Sequence, residues 1–274
     1  MASVLPIVNP HADERFRKIA QEMSLDPDGL WVGKYVDYEW QHIRHVLEAE
    51  PCNVRGKFVL ELGCNVGATS IVLAALGARV AAIDVDAGRV ELAGVNAARY
   101  GFAEAIDFAH VLDTTRMPFP AESFDVICCN SVLEYVPLGV LAPLLKEIDR
   151  VLRGGGLLII YGTSNRLWPR EVHSRRWLVN YLPRSFDSVF LRGRSLQRGV
   201  WPWQLRSAFA GYEDLIRKDR GRGFLEVKSR AGLPPRKRRI LSAINRVANR
   251  CGVSVGILMP SCCLLLRKPE RSVS

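Results

Sequence analysis

Apolar residues follow two alternating patterns between residues 57 and 163. Short, nearly continuous apolar runs such as KFVLELG and FDVICCN are typical of buried strands, and they alternate with amphipathic stretches such as GRVELAGVNAARYG. Strands that alternate with helices predict a parallel sheet covered on both faces, which is an α/β doubly wound fold. Ligands of such folds bind at the carboxyl ends of the strands.

The pattern changes on both sides of this core, which we place at 57–163. Helical spacing of apolar residues predicts an N-terminal helical segment over 1–56. A stretch rich in Arg, Trp and Pro follows Ser164 and predicts a cap or substrate insertion over 164–200. The C-terminal part, 201–274, is expected to complete the sheet with a helix near 202–210, a strand near GYEDLIRK, a basic helix over 236–250 and an apolar run over 255–266.

The composition is that of a soluble globular protein, with 48% apolar and 24% charged residues. The seven cysteines are an odd number and lie mostly within apolar runs, which favours free thiols in a reducing cytoplasm. Cys128 and Cys129 are adjacent and would point to opposite faces of a strand, so we expect no metal site there. No secretory signal is recognisable, and the apolar stretch 251–266, interrupted by Pro260, is shorter than the ~20 residues of a membrane span.

The net charge of +10 is concentrated near the C-terminus, where residues 164–274 hold 24 Lys or Arg against seven Asp or Glu. Such a region suits an anionic small molecule, a lipid headgroup surface or nucleic acid, and it is equally typical of a solvated basic face. The helix over 236–250 has an apolar stripe that would either dock onto the sheet, which we expect, or lie on anionic lipid as a peripheral membrane contact. The stripe consists of Ile240, Leu241, Ile244 and Val247, opposite Arg236, Arg239 and Arg246.

A glycine-containing loop, VLELGCNVGATS at 59–70, joins a predicted strand to a predicted helix. Gly63 and Gly67 tolerate positive φ, and Asn65 stands where such loops usually place their middle glycine. Asn is the non-glycine residue that best tolerates the left-handed region, so we expect the loop to form. The G-x-G-x-x-G spacing is not met, which argues against a dinucleotide. Asp84 ends the next strand, where a carboxylate can accept hydrogen bonds from both ribose hydroxyls of an adenosine ligand.

Together with LDTTRMPFPAESFDVICCNSVLEYVP and LLKEIDRVLRGGGLLII, the loop and Asp84 resemble the class I S-adenosylmethionine-dependent methyltransferases. The similarity is to the methyltransferase type 11, or ubiquinone-biosynthesis-like, group and covers about residues 57–163. It implies a Rossmann-like, seven-stranded methyltransferase sheet with N-terminal helices and an inserted cap after strand five. It also implies S-adenosyl-L-methionine as the cofactor.

The resemblance assigns a set of cofactor-binding residues. Glu61 is implied to organise the loop and the methionine end, Asp84 to hold the ribose, and Asp113 to meet the adenine amino group. Asn130 is implied to lie beside the methionine moiety. The other implied cofactor contacts are Gly63, Cys64, Asn65, Gly67, Val85 and Thr114. Each carboxylate also has a structural interpretation, such as Asp113 capping a turn, and Asp86 is expected to cap the following helix.

Methyl transfer from a sulfonium is an in-line displacement, so the protein must mainly hold donor and acceptor collinear in a dry pocket. A hydroxyl or amine acceptor also benefits from a base. His173, in the predicted insertion, is one candidate because its pKa is near neutral. Tyr135, after the fourth strand, is the other candidate. A hydrogen-bonding loop histidine and a packed aromatic are the structural alternatives.

These features predict a cytoplasmic methyltransferase that acts on a small-molecule or lipid-intermediate acceptor, with O-methylation favoured and an anionic acceptor suited to the basic C-terminal third. RNA methylation is an alternative enzyme. Nucleic acid is not the expected partner, because NSVLEY stands where an NPPY-type motif would be and no RNA-binding module is recognisable. A catalytically inactive S-adenosylmethionine-binding scaffold is the alternative from another class, prompted by Asn65. The oligomeric state is left open.

Overall fold

A computed structural model describes residues 5–183 and 198–270. The strands are β1 (Phe58–Leu62), β2 (Arg79–Asp84), β3 (Ile106–His110), β4 (Phe124–Asn130), β5 (Leu152–Ser164), β6 (Glu213–Asp214) and β7 (Ser261–Arg267). The helices up to β5 are α1 (Pro10–Glu22), α2 (Tyr35–Gln41), α3 (Arg44–Leu47), α4 (Ala68–Ala75), α5 (Ala87–Arg99) and α6 (Leu138–Val151). Those that follow are α7 (Pro202–Ala208), α8 (Leu215–Lys218), α9 (Arg222–Arg230) and α10 (Pro235–Arg250).

The strands form one seven-stranded sheet in the order β3-β2-β1-β4-β5-β7-β6. The first five strands pair in parallel, whereas β7 runs antiparallel to both β5 and β6. This arrangement confirms the predicted doubly wound, seven-stranded α/β sheet. The strand order reverses between β1 and β4, and the crevice at the carboxyl ends of these two strands is where such sheets bind ligands.

Successive strand residues contribute to two separate cores, one on each face of the sheet. Val59 and Cys128 pack in the core shared with α1 to α5, whereas Leu60 and Cys129 pack in the core shared with α6 and α7. The prediction that the adjacent cysteines point to opposite faces is therefore confirmed. The same alternation directs Glu61 toward the face covered by the N-terminal helices.

Helix α1 is connected to the loop after β1 by a chain of buried polar groups. Arg99, at the end of α5, donates from Nε to Oδ1 of Asp13 on α1 (2.9 Å) and from Nη1 to Oδ1 of Asn96 (2.8 Å). Asn96 in turn donates to the carbonyl of Val66 in the loop (2.6 Å). The guanidinium also lies 4.0 Å from the centroid of the Phe16 ring. The N-terminal helical segment therefore helps to fix the loop.

The C-terminal elements differ from the sequence prediction in detail. The strand expected near GYEDLIRK is limited to the two residues of β6, because Oδ1 of Asp214 accepts the backbone N–H of Arg217 (3.1 Å) and begins α8. The apolar run over 255–266 is divided into a 3₁₀ turn at Val255–Leu258 and β7. Helix α9 was not predicted.

Helix α10 docks as expected, but through a different set of residues. Leu241, Asn245 and Ala248 are buried, whereas Ile240 and Val247 from the predicted stripe are exposed. The predicted stripe is wrong at these two positions because the buried face is centred one residue further along the helix. Among the described residues, no helix combines the length and the hydrophobicity required to cross a membrane.

The described part of the predicted insertion is held against the segment before β7. Nδ2 of the fully buried Asn165 donates to the carbonyls of Ile257 (2.8 Å) and Met259 (2.7 Å). Nε1 of Trp168 donates to the carbonyl of Leu258 (2.9 Å). These bonds place the start of the insertion over the carboxyl end of β5. Residues 184–197 of the predicted insertion lie outside the described residues.

Candidate active site

The loop after β1 has the conformation that the sequence predicted. Gly63, Asn65 and Gly67 have φ values of 73°, 50° and 75°, so Asn65 adopts the left-handed region in place of a glycine. At Gly67 a Cβ would lie 3.1 Å from the Cβ of Ala93, so glycine also permits a close approach to α5. Replacement of the middle glycine by asparagine therefore preserves the turn.

Asp84 organises the same loop from the end of β2. Its Oδ2 accepts the backbone N–H of Asn65 (2.8 Å), and its Oδ1 accepts that of Asp86 (3.0 Å). Oδ1 of Asn65 accepts Nη1 of Arg89 (2.9 Å). Oδ1 of Asp86 caps α5 by accepting the N–H of Arg89 (3.1 Å), which confirms the predicted cap. The Asp84 carboxylate lies half-buried at the crevice and has lone pairs left for a ligand.

Glu61 is the buried carboxyl beneath the loop. It is 2% exposed and hydrogen-bonded to the hydroxyl of Ser70 on α4. Burial raises the pKa of Glu61 to about 8, and the nearby carboxyls of Glu39 and Asp84 add to this effect. At neutral pH the Glu61 carboxyl is therefore mostly neutral, and a cation beside it would favour the ionised form.

Glu39, on α2, is a second buried carboxyl in this region and was not predicted. It is 3% exposed, and Asn130 and Tyr35 form hydrogen bonds with it. Nδ2 of Asn130 also donates to Oγ1 of Thr69 (3.0 Å), so Asn130 connects β4, α4 and α2. Burial raises the pKa of Glu39 to about 7. The signal in the sequence was an acidic residue between aromatic residues in YVDYEWQ, on a helix otherwise apolar toward the core.

The ends of β2 and β3 form the opposite side of the crevice. Val85 and Leu112 are 54% and 77% exposed, which is high for apolar side chains of this size next to a sheet. Asp113 follows Leu112 and is exposed, and its Oδ1 accepts the N–H (3.0 Å) and hydroxyl (2.5 Å) of Thr115. These bonds lower the pKa of Asp113, and Thr114 lies beside it. Asp113 therefore does cap a turn, and its second oxygen is available to a ligand.

Cys64 is the predicted cofactor residue whose polar groups are least available to a ligand. Its thiol is buried in the core. Its N–H donates to the carbonyl of Ile83 (3.0 Å), and its carbonyl accepts the N–H of Gly67 (2.7 Å). Its polar groups therefore already serve the fold.

The two candidate bases lie together at the ends of β4 and β5. The ring centroids of Tyr135 and His173 are 5.6 Å apart, and Nε2 of His173 lies 3.5 Å from Oε1 of Glu134. The carboxylate of Glu134 raises the pKa of His173. Glu134 is fully buried and was not predicted as a functional residue, because in NSVLEYVP it precedes an aromatic residue without any distinguishing spacing.

The loop that carries His173 is itself fixed by a buried carboxylate. Oε1 of Glu171, which is 1% exposed, accepts the backbone N–H of His173 (2.9 Å), and Oε2 accepts that of Ser174. Beneath this loop, Glu134 Oε2 and the hydroxyls of Thr163 and Ser164 have no hydrogen-bond partner in the described part of the chain. These atoms form a polar floor near the carboxyl ends of β4 and β5.

The residues present fit an adenosylmethionine group at the crevice. The half-buried Asp84 carboxylate suits a ribose, and the exposed Val85 and Leu112 side chains offer apolar contact to a planar base. The buried Glu39 Oε2 has no hydrogen-bond partner among the described residues, so a buried acceptor is left open beside the loop. By contrast, the cavity of about 380 Å³ lined by Lys57, Arg153 and Lys268 opens at the opposite edge of the sheet.

Comparison with known families identifies the core of this chain. Residues 60–160 match a family model described as a methyltransferase domain. The match runs from within β1 to within β5 and includes the loop, Asp84 and Asn130, and it confirms the methyltransferase domain predicted from the sequence. This part of the chain is therefore a methyltransferase domain.

Three curated relatives have related names. A sterol 4-C-methyltransferase from Caenorhabditis elegans is 28% identical, over 45% of this chain and 38% of its own length. A ubiquinone biosynthesis O-methyltransferase from Psychrobacter arcticus is 28% identical, over 58% and 65%. A demethylmenaquinone methyltransferase from Staphylococcus aureus is 26% identical, over 80% and 88%. The chain thus spans less than two thirds of the first two relatives.

Solved structures support the fold. The [4+2]-cyclase SpnF has a TM-score of 0.54 and 18% identity, over 98% of this chain and all of that chain. The YcgJ protein from Bacillus subtilis has a TM-score of 0.51 and 20% identity, over 84% of this chain and 99% of that chain. At these identities the similarity concerns the arrangement of strands and helices.

Proposed function

We propose that this chain, with its methyltransferase domain at 60–160, transfers a methyl group from S-adenosylmethionine to a hydroxyl group of a small, lipid-like acceptor. One observation carries the proposal. The loop held by Asp84 and the pair of His173 with Glu134 lie at the carboxyl ends of neighbouring strands, so a donor and a base face the same crevice.

The cofactor side of this site is assigned to the loop and to the ends of β2, β3 and β4. Asp84 would accept hydrogen bonds from the ribose hydroxyls while it continues to hold the N–H of Asn65. Val85 and Leu112 would pack against the adenine, and Asp113 would accept from its amino group. When bound, S-adenosylmethionine supplies an electrophilic methyl group on a sulfonium.

The acceptor side is assigned to the His173 pair. If the Nε2–H of His173 points to Glu134, Nδ1 is left to accept the proton of an acceptor hydroxyl as its oxygen takes the methyl group. Glu134 keeps the ring in this tautomer and stabilises the imidazolium that forms. Tyr135, half-exposed beside the ring, is placed to contact the acceptor. The catalytic roles of His173 and Tyr135 are thus part of the proposal.

Two observations support a lipid-like acceptor. The relatives are named for sterol, ubiquinone and menaquinone chemistry, and all three names refer to ring-bearing lipids. In addition, the described part of the insertion and the start of α7 expose large apolar side chains near the crevice. These are Trp177, Leu178, Tyr181 and Trp203.

The test compares His173→Gln with the wild type in single-turnover transfer of labelled methyl to hydroxyquinol and hydroxysterol acceptors. We expect a rate lower by about 10²- to 10⁴-fold for the variant, as is usual for loss of a general base. Binding of S-adenosylhomocysteine should change less than twofold, because His173 lies on the acceptor side. An unchanged transfer rate would exclude His173 as the base.

A cofactor-binding scaffold without turnover is the second candidate, because Asn65 stands where such loops usually have their middle glycine. Fold by itself does not determine the reaction. This second function predicts tight cofactor binding and no methyl transfer to any acceptor of the panel. Salt-sensitive binding of RNA, which the basic C-terminal third prompts, would instead favour RNA methylation.

A further inference from the structure

Glu39 is a buried carboxyl that the contacts proposed above do not use. It reaches from α2 toward the carboxyl end of β4 and is 3% exposed. One of its oxygens, Oε2, has no hydrogen-bond partner within the described residues. A buried polar atom without a partner is uncommon in folded proteins and often marks a place where a ligand completes the bonding.

The surroundings of Glu39 supply acids and neutral groups. The titratable side chains that interact with it are Glu61 on β1, Tyr35 and Tyr38 on α2, Cys128 on β4 and Tyr161 on β5. Asn130 is its neutral hydrogen-bonding partner. In the part of the chain that the structure describes, no cation is among the groups that perturb the pKa of Glu39 or of Glu61.

Two neighbouring buried carboxyls without a cation are costly when ionised. The two carboxyls therefore form an acidic pocket that suits a positively charged group with hydrogen-bond donors. Asn130 ends β4 and Glu61 lies on β1, so the acidic pocket lies at the crevice between these two strands. Because the proposed function assigns the ribose and the adenine to the ends of β2 and β3, the amino acid end of the cofactor is left to face this pocket.

We propose that Glu39 is a cofactor-binding residue whose free carboxylate oxygen accepts a hydrogen bond from the α-ammonium group of S-adenosylmethionine, with Glu61 adding negative charge from below. An ammonium group has three donors and can satisfy Oε2, whereas a sulfonium has none. Helix α2 would in this way cover the methionine end. The inference rests on the proposed cofactor but not on the acceptor.

Binding of an ammonium group next to Glu39 should change the protonation of its carboxyl. Burial holds the pKa of Glu39 near 7, so the carboxyl is partly protonated in the ligand-free protein at neutral pH. A bound ammonium favours the ionised form, and binding at pH 7 therefore releases protons. Proton release is measured calorimetrically as the dependence of the binding enthalpy on the ionisation enthalpy of the buffer.

The experiment titrates the protein with S-adenosylhomocysteine, which has the ammonium but no sulfonium, in phosphate and in Tris at pH 7. 5′-Methylthioadenosine, which lacks the amino acid end, is the ligand control. Glu39→Gln is the test variant, and Glu22→Gln, at the exposed end of α1, is the matched control. We expect Glu39→Gln to bind S-adenosylhomocysteine about 10- to 100-fold more weakly and to release fewer protons, with methylthioadenosine affinity unchanged within twofold.

The alternative outcomes separate the two proposals. Wild-type affinity and proton release in Glu39→Gln would overturn the role of Glu39. Equal weakening of both ligands would also overturn it, because the effect would not concern the ammonium. Gln retains the shape and removes an unpaired buried charge, so the variant should unfold at no lower temperature than the wild type. If folded wild type does not bind S-adenosylhomocysteine, the proposed function itself fails.

Discussion

The backbone N–H of Asn65 donates a 2.8 Å hydrogen bond to Oδ2 of Asp84, which joins the turn after β1 to the end of β2. Oδ1 of Asn65 is held in addition by Arg89. The asparagine that replaces the usual glycine is thus connected on its backbone and on its side chain to neighbouring elements. The loop keeps its left-handed residue because Asn tolerates this conformation and because these two bonds stabilise it.

Asn65→Gly should leave the loop intact, whereas Asn65→Val should not. Glycine adopts positive φ freely, so we expect S-adenosylhomocysteine affinity within about threefold of wild type. Both variants lose the bond to Arg89, but a β-branched residue at a φ of 50° costs about 1–3 kcal/mol in addition. We expect the affinity of Asn65→Val to fall at least tenfold in calorimetric titrations. Equal affinities for the two variants would show that backbone conformation at residue 65 does not control the site.

Arg99→Met should destabilise the whole protein, because it leaves Asp13 and Asn96 without their buried partner. Asp13 keeps its ion pair with Arg17, so we expect the free energy of unfolding in urea to fall by about 1.5–3 kcal/mol, as for the loss of a hydrogen bond to a charged group. Arg15→Met is the matched control, since Arg15 forms an exposed ion pair with Glu91 at 3.5 Å and should contribute less than about 1 kcal/mol. Similar losses in both variants would contradict the network.

The ligand-free protein should lose stability as the pH rises from 5.5 to 8. Burial raises the pKa of Glu39 to about 7 and that of Glu61 to about 8, from the ordinary glutamic acid pKa of 4.5. A carboxyl whose pKa is higher in the folded than in the unfolded state stabilises the fold, because the folded protein binds the proton more tightly. This contribution is complete below pH 4.5 and is lost as the pH rises past the pKa of the folded state.

Glu39→Gln removes one of these titrating groups and should flatten the pH dependence of the free energy of unfolding by at least about 1 kcal/mol over this range. Urea unfolding of both proteins at pH 5.5 and 8 measures the difference. Parallel pH dependences in wild type and variant would show that Glu39 titrates alike in the folded and unfolded states.

Glu134→Gln should shift the pH dependence of transfer. Glu134 raises the pKa of His173, so its neutral replacement lowers that pKa and moves the acidic limb of the kcat/KM profile to lower pH. The maximal rate should also fall about tenfold or more, because the ring loses the carboxylate that orients it. A lower rate with an unmoved limb would indicate that Glu134 supports the loop without acting on His173.

The parts of the site that could be predicted from the sequence are those determined by local pattern. Glu61, Gly63 and Asp84 follow directly from a strand, a turn and the next strand, so short stretches of sequence identify them. Glu39 and Asn130 are distant in the chain and meet only after α2 has packed on the sheet. Pairing of Glu134 with His173 likewise depends on how the insertion folds back over β5.

Tertiary packing also explains the errors in the fold prediction. GYEDLIRK has the apolar content of a strand, but Asp214 caps a helix within it and shortens β6 to two residues. In α10 the apolar pattern could not show which side meets α9 and β7, so Ile240 and Val247 were placed on the wrong face.

Calorimetric titration of the wild type and of Asp84→Asn with S-adenosylhomocysteine tests most directly whether the crevice binds this cofactor, with Asp107→Asn, an exposed β3 residue, as the control. We expect binding by the wild type and by Asp107→Asn, and about 10- to 100-fold weaker binding by Asp84→Asn, because loss of charge-assisted bonds costs about 1.5–3 kcal/mol. A folded wild type that does not bind, or equal affinity in Asp84→Asn, would contradict a cofactor site at this crevice.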